Sequence, residues 1–314
     1  MVKAVFFGSP MVSVKVLKEV IRAGHEIPAI YTRPARRGGR SRELMPTPVA
    51  VAGKKLGIPV RTPVNLGGSE IQAELCRVDA DVFLIASYGT MLPPHLLSIP
   101  PLGALNIHPS LLPRHRGPSP VVNAILEGDE ETGTSIMLLD KGMDTGPLLA
   151  QSETFPIDFR TTAGELTERL FTSGATLLIN TLELWTQNKI VPRSQEESKA
   201  TISKLLKRSD GNINWSLPAI RIERMVRAYD PWPGTFTKWG DRNLKVLAVT
   251  TVDRGNGPPG MVSFGDEGLI ISTGLGSLLA VRLQLEGRTP ISGKEFARGY
   301  PGIEGSLLGL SGVQ

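Results

Sequence analysis

The stretch Asp81-Val82-Phe83-Leu84-Ile85-Ala86 sets one acidic residue before five apolar ones, with none of the alternation of a strand that faces water on one side. Such a run is expected of a strand buried on both faces, as in a parallel sheet covered by helices. Working outward, residues 2–7 form a second apolar run. Gly8-Ser9-Pro10 follows, then a segment with helical spacing from Met11 to Ile21, closed by Gly24. The same reading predicts strands at 27–32, 58–60, 103–108 and 134–139. It predicts helices after the Thr47-Pro48 cap, at 69–78, at 119–126 and along 162–185. Strands alternating with helices imply right-handed crossovers and an α/β domain with a Rossmann-like parallel sheet.

The pattern changes near residue 187. Residues 187–204 are polar with few apolar anchors, which suits a linker. Beyond Trp215 one helix is expected at 218–228. Short strand-like runs follow at 244–250, 261–263, 269–272 and 278–285, separated by Gly, Pro, Asn and Asp. That favours a small antiparallel barrel or sandwich. The expected organisation is a catalytic domain at 1–189, a linker at 190–204 and a C-terminal domain at 205–314.

The chain has 314 residues, 40% of them apolar, enough for more than one core. Its single cysteine, Cys76, excludes an internal disulfide framework, and four scattered histidines argue against a histidine-rich metal site, so no metal is expected. No apolar run approaches ~18 residues and the N-terminus lacks a signal-peptide layout, so a cytoplasmic protein without a membrane span is expected. The net charge is +5, a weak hint of an anionic partner. Its distribution says more. Residues 1–190 hold 19 basic and 18 acidic side chains, and five of the 19 are Arg33, Arg36, Arg37, Arg40 and Arg42. One intensely basic loop, containing Gly38 and Gly39, therefore sits on an otherwise acidic domain.

Gly8-Ser9-Pro10 lacks the Gly-x-Gly-x-x-Gly needed for close approach of a pyrophosphate, which argues against a dinucleotide-dependent enzyme. Gly8 reads as a tight turn. Asn106-Ile107-His108-Pro109 closes a strand, and residues two apart share a face, so Asn106 and His108 project together from a strand's C-terminal end. Ligands bind at that edge of open α/β sheets. An amide donor beside an imidazole suits oxyanion stabilisation and proton transfer. Asp140-Lys141-Gly142-Met143-Asp144-Thr145-Gly146-Pro147 reads as a sharp polar loop expected at the same edge, with Asp140 in turn chemistry and Asp144 available for more.

The segment Asn106-Ile107-His108-Pro109-Ser110-Leu111-Leu112-Pro113-Arg114-His115-Arg116-Gly117, taken with 140–146, resembles the folate-dependent formyltransferases. The resemblance implies catalytic roles for Asn106, His108 and Asp144. It implies 10-formyltetrahydrofolate as co-substrate, contacted by Ser110, Leu111, Leu112 and Pro113. Four further stretches are similar to the branch of that family acting on methionyl-tRNA: the arginine-rich loop ending in Leu44-Met45-Pro46-Thr47-Pro48, Ile213-Asn214-Trp215, Arg227-Ala228-Tyr229-Asp230-Pro231-Trp232-Pro233-Gly234, and Gly293 to Tyr300. For that branch the resemblance implies an OB-like C-terminal barrel and initiator methionyl-tRNA as partner, met by Arg36, Arg37, Arg40 and Arg42. A monomer is expected. The sequence departs from the family pattern at His115, where an aromatic ring is usual, at Ser41 for a glycine, and at Glu43 for a lysine. Two alternatives stay open: a formyltransferase or hydrolase acting on a small amine or on formyl folate itself, and an RNA-binding protein with an inactive enzyme domain.

Overall fold

The computed structural model describes residues 1–38, 43–253 and 257–309. It divides into two compact units. The first comprises Met1–Pro120, Glu131–Pro156 and Thr167–Lys204, and the second Val121–Glu130, Ile157–Leu166 and Leu205–Gln314.

In chain order the elements of the N-terminal part are β1 (Lys3–Gly8), α1 (Met11–Arg22), β2 (Glu26–Tyr31), β3 (Arg36–Gly38), β4 (Glu43–Met45) and α2 (Pro48–Lys55). Next come β5 (Val60–Arg61), α3 (Ser69–Val78), β6 (Val82–Ala86), α4 (Pro94–Leu97), β7 (Ala104–His108) and α5 (Pro120–Glu127). The series ends with β8 (Glu131–Thr132), β9 (Ser135–Leu138), β10 (Leu148–Gln151), β11 (Phe155–Pro156) and α6 (Ala163–Thr186). The start of α2 is set as expected: Thr47 is its N-cap, its hydroxyl accepting from Ala50 N at 3.1 Å, and Pro48 follows.

The central sheet has seven strands in the order β10-β9-β7-β6-β1-β2-β5. Both faces of its middle are covered. Ala4 and Phe6 of β1, and Val82, Leu84 and Ala86 of β6, join one core with Val16 and Leu17 of α1 and Leu178 and Leu182 of α6. The alternate residues Val5, Phe7, Phe83 and Ile85 join a second core with Leu75 of α3 and Leu96 of α4. The unbroken apolar run at 82–86 is thus explained: neither face of β6 meets water.

From β5 to β7 the sheet is parallel, but β9 pairs antiparallel with β7, and β10 antiparallel with β9. The sequence reading placed the 140–147 loop at the C-terminal edge with His108, and this is corrected. β9 begins opposite the end of β7, with Ser135 facing His108. It therefore leaves the sheet beside the start of β7, where Leu139 N donates to Ala104 O. The loop after β9 must double back about 13 Å along β7 to approach His108, at roughly 3.3 Å per residue.

Gly8 is also decided by packing. A Cβ there would lie 2.7 Å from Ser13 Cβ and 3.0 Å from Ala86 O. The glycine lets α1 cross close to the sheet, and Ser13 Oγ uses that closeness to donate to Ala86 O at 2.5 Å.

The remaining elements lie in the second unit: α7 (Ala219–Ala228), β12 (Thr235–Trp239), β13 (Arg242–Val252), β14 (Val262–Gly265), β15 (Gly268–Ser272), β16 (Ser277–Leu285), β17 (Ile291–Ser292) and α8 (Gly293–Gly299). The strands form one antiparallel sheet in the order β12-β13-β16-β15-β14, with β17 on β16. Residues 306–309 tie its two edges, because Val262 N donates to Ser306 O, Leu308 N to Gly260 O and Gly309 N to Lys238 O. α7 buries Ile222, Met225 and Val226, and α8 is capped reciprocally by Ser292 and Glu295.

Replacing Gly8 by alanine should force α1 away from the sheet and cost about 1–3 kcal/mol. Urea unfolding followed by a probe in residues 1–120 measures this. An unchanged midpoint and slope would mean the crossing is looser than described.

Candidate functional site

β7 is bonded on both edges, to β6 and to β9, so its backbone is held and its side chains are the variable part. Leu105 and Ile107 enter the first core, while Asn106 and His108 share the opposite face with Ala104. Asn106 is half-buried and, among the described residues, its side chain makes no hydrogen bond, leaving an amide NH2 able to donate.

His108 is 4% exposed. Its Nε2 lies 3.0 Å from the His115 carbonyl oxygen, which can only accept, so Nε2 carries a proton. Its Nδ1 lies 3.6 Å from Asp144 Oδ2, an ion-pair distance rather than a hydrogen bond. Burial holds the imidazole below the ordinary histidine pKa, and the Asp144 carboxylate and the His115 carbonyl pull the other way. In the fold His108 therefore stays neutral to lower pH than a free histidine does. Its protonation opposes folding, so its contribution to stability is present above the ordinary value and is lost as pH drops towards the depressed one.

Asp144 reaches this point in a left-handed backbone conformation, φ 53°. Its Oδ2 accepts from Gly117 N at 2.8 Å. Its main chain is held by Gln195, whose Nε2 donates to Asp144 O at 2.9 Å and to Gly146 O at 2.7 Å. Gly146 allows the doubling back, since a Cβ there would meet Leu138 O at 1.8 Å. Asp140 serves the turn itself, accepting from Gly142 N and from the Thr145 hydroxyl.

Ser110, Leu111, Leu112 and Pro113 form the loop after β7. Ser110 is fully buried and donates to Arg114 O at 2.6 Å, while Leu112 N donates to Ser135 Oγ at 3.0 Å. Leu112 O accepts from Gln151 Nε2 at 2.9 Å. The polar groups of Ser110 and Leu112 are thus committed internally, and Leu111 and Pro113 are half-buried. His115, in the position noted as a departure, is buried with φ 58°, its N–H donating to Thr201 Oγ1 at 2.8 Å. A backbone carbonyl in that posture is what His108 uses, which residue type alone does not reveal.

Arg36 and Arg37 lie exposed on β3, paired with Met45 and Leu44 of β4 in a small ribbon. Leu44 and Met45 are 67% and 58% exposed. Arg40 and Arg42 lie outside the described residues, as does Ser41.

Sequence reasoning missed the contribution of residues 193–203. Arg193 exchanges both main-chain hydrogen bonds with Leu148, Arg116 N donates to Thr201 O at 2.8 Å, and Ser203 N donates to Arg116 O at 2.7 Å. The polar composition that suggested a linker is the composition of a segment whose backbone and side chains bond to a loop.

A strand end presenting an amide and a buried imidazole, with a carboxylate folded back onto the imidazole, suits acyl-type transfer. The chain belongs to the formyl transferase family: residues 2–182 match its "Formyl transferase" domain and residues 205–301 its "Formyl transferase, C-terminal domain". Within it, the chain is 44% identical over 310 residues to the methionyl-tRNA formyltransferase of Roseiflexus sp. strain RS-1, covering 98% of this chain and 95% of the relative. It is 40% identical over 306 residues to the methionyl-tRNA formyltransferase of Ruegeria pomeroyi, covering 98% and 100%. By fold it is similar to an N-formyltransferase from Helicobacter canadensis solved with folinic acid and dTDP-3-aminofucose: TM-score 0.67, 18% identity, 89% of this chain and 99% of that one. It is also similar to HypX from Aquifex aeolicus in complex with tetrahydrofolic acid: TM-score 0.64, 18% identity, 96% of this chain and 47% of that one.

Titration of His108 by ¹⁵N-imidazole NMR should give a midpoint below its ordinary value of 6.5. Asp144→Asn should lower it further, because the anion that favours the charged ring is gone. A midpoint that rises in the variant would contradict the pairing.

Proposed function

We propose that this protein transfers the formyl group of 10-formyltetrahydrofolate to the α-amino group of initiator methionyl-tRNA. The observation that carries the reading is the full-length match, through both domains, to relatives named for that activity. The reading gives residues 1–189 the chemistry and residues 205–314 the tRNA. Residues 190–204 join them, and the chain works as a cytoplasmic monomer.

In this reading the amine attacks the formyl carbon and a tetrahedral oxyanion forms. Asn106 donates from its free NH2 to that oxygen. His108 competes its Nε2–H away from the His115 carbonyl, a weaker acceptor than an oxyanion. Asp144 orients the ring and takes part in moving a proton from the attacking amine to the departing folate nitrogen. Leu111, Pro113 and the main chain of 110–113 line the folate side. Each preorganised donor is worth about 3 kcal/mol of barrier, because it needs no reorganisation as charge develops. Arg36, Arg37, Arg40 and Arg42 face tRNA phosphates and bases, a use that five arginines on an otherwise acidic domain support.

Incubation with methionyl-tRNA and 10-formyltetrahydrofolate should yield formylmethionyl-tRNA, whereas formylation of a sugar amine in its place would favour the small-amine reading. His108→Ala should lower kcat by roughly 10²–10⁴ with folate affinity retained. Near-wild-type turnover would remove His108 from the mechanism.

Alanine at Arg36, Arg37, Arg40 and Arg42 together should raise the KM for tRNA and leave that for folate unchanged. Every arginine–phosphate pairing removed should make the log–log salt dependence of tRNA affinity shallower by roughly 0.7–0.9. If the quadruple variant binds tRNA with wild-type affinity and salt slope, these arginines are a solvated surface feature.

A further inference from the structure

Asp144 poses a mechanical problem. Its loop leaves the sheet beside Ala104 and must return to His108, and the residue itself sits at φ 53°, a conformation that L-residues adopt at a cost. Something outside the loop has to hold it. Gln195, 51 residues further along the chain, does so with every hydrogen-bonding group of its carboxamide. Both of its N–H groups are used, on Asp144 O at 2.9 Å and Gly146 O at 2.7 Å. Its Oε1 accepts from Arg116 Nε at 3.0 Å. Arg Nε can only donate and the two carbonyls can only accept, so the orientation of the amide is dictated by its partners.

Arg116 is fixed in turn. Its guanidinium is buried, and Nη1 and Nη2 each donate to a Glu197 carboxylate oxygen at 2.9 Å, a two-pronged pair that compensates the buried charge. The neighbouring Gly117 N–H is the group that bonds Asp144 Oδ2 at 2.8 Å. Gln195 thus joins two things that must stay in register: the backbone carrying Asp144, and the 116–117 backbone that its carboxylate touches.

We propose that Gln195 is a positioning residue for formyl transfer: its carboxamide holds the Asp144 loop in the conformation that aims the Asp144 carboxylate at His108. The proposal rests on the reading of Asp144 and His108 as catalytic. Gln195 touches neither substrate. It acts through Asp144, and a displacement near 1 Å in such a group costs up to about 100-fold in rate.

Gln195→Glu is the diagnostic change. It keeps the shape and the acceptor towards Arg116 but turns an oxygen onto two carbonyl oxygens. Its kcat should fall roughly 10–100-fold while KM for folate and for methionyl-tRNA stays near wild type. Combined with Asp144→Asn, it should lower kcat little beyond Asp144→Asn alone, since both remove one function. The ¹⁵N titration of His108 should move in the same direction as in Asp144→Asn, because the carboxylate has drifted from the ring.

Trp185→Phe is the comparison. It removes the bond from Trp185 Nε1 to Leu102 O at 2.9 Å, which touches none of Gln195, Arg116, Gly117 and Asp144, and should lower the melting temperature but not kcat. Should Gln195→Glu fail to fold, Gln195→Met, uncharged and of similar length, takes its place in every comparison. Wild-type kcat in a folded Gln195 variant, full additivity with Asp144→Asn, or an equal loss of kcat in Trp185→Phe overturns the proposal. If Asp144→Asn alone leaves kcat unchanged, it is the catalytic reading that fails, and the proposal with it.

Discussion

β7 is paired along both edges, parallel to β6 and antiparallel to β9, and the candidate chemistry depends on that double pairing. A strand bonded on both sides has its backbone groups satisfied and cannot swing, so its alternate side chains have fixed directions. Leu105 and Ile107 anchor it in one core, and Asn106 and His108 are presented on the other face at its end. A donor held this way is preorganised, which is where electrostatic stabilisation of a developing charge draws most of its strength. On a free loop the same two residues would have to be ordered by the substrate, at a cost in binding.

The change of direction at β9 has a second consequence. It places Ser135 opposite His108, and the Ser135 hydroxyl then stitches the 110–112 loop by donating to Ser110 O at 2.7 Å and accepting from Leu112 N. It also sends the Asp144 loop away from the site, so that a return path and a brace are needed. The buried Arg116 forms part of that brace, compensated by Glu197 and Gln195. A buried cation without such partners would be strongly destabilising. Stability and site geometry are therefore carried by one set of bonds, and the exposed carboxylate of Glu197 is held below the ordinary range by its hydrogen bond to Arg116.

His108 illustrates how burial and charge oppose each other at one ring. Removal from water disfavours the imidazolium, while Asp144 and the His115 carbonyl favour it. A neutral ring with one N–H already donated and its other nitrogen facing a carboxylate can pass a proton without a large change of structure. The exposed β3–β4 ribbon is of a different character: Arg36, Arg37, Leu44 and Met45 stand in water, charge and apolar surface side by side.

Local pattern was enough for much of this protein. The run Val82 to Ala86 announced a strand buried on both faces, Thr47-Pro48 announced the start of α2, and the two-residue spacing of Asn106 and His108 placed them on one face, because side-chain periodicity is a property of the local backbone. Resemblance in short motifs then tied those residues to formyl transfer. Tertiary structure alone decided the direction of β9, the doubling back of the Asp144 loop, the closeness that makes Gly8 necessary, and the use of Gln195 and Arg116 as a brace. Gln195 and Asp144 are 51 residues apart, and Arg116 and Glu197 are 81 apart. Bonds of that span obey no sequence period; they exist because a folded chain brings together groups whose buried donors and acceptors must be paired.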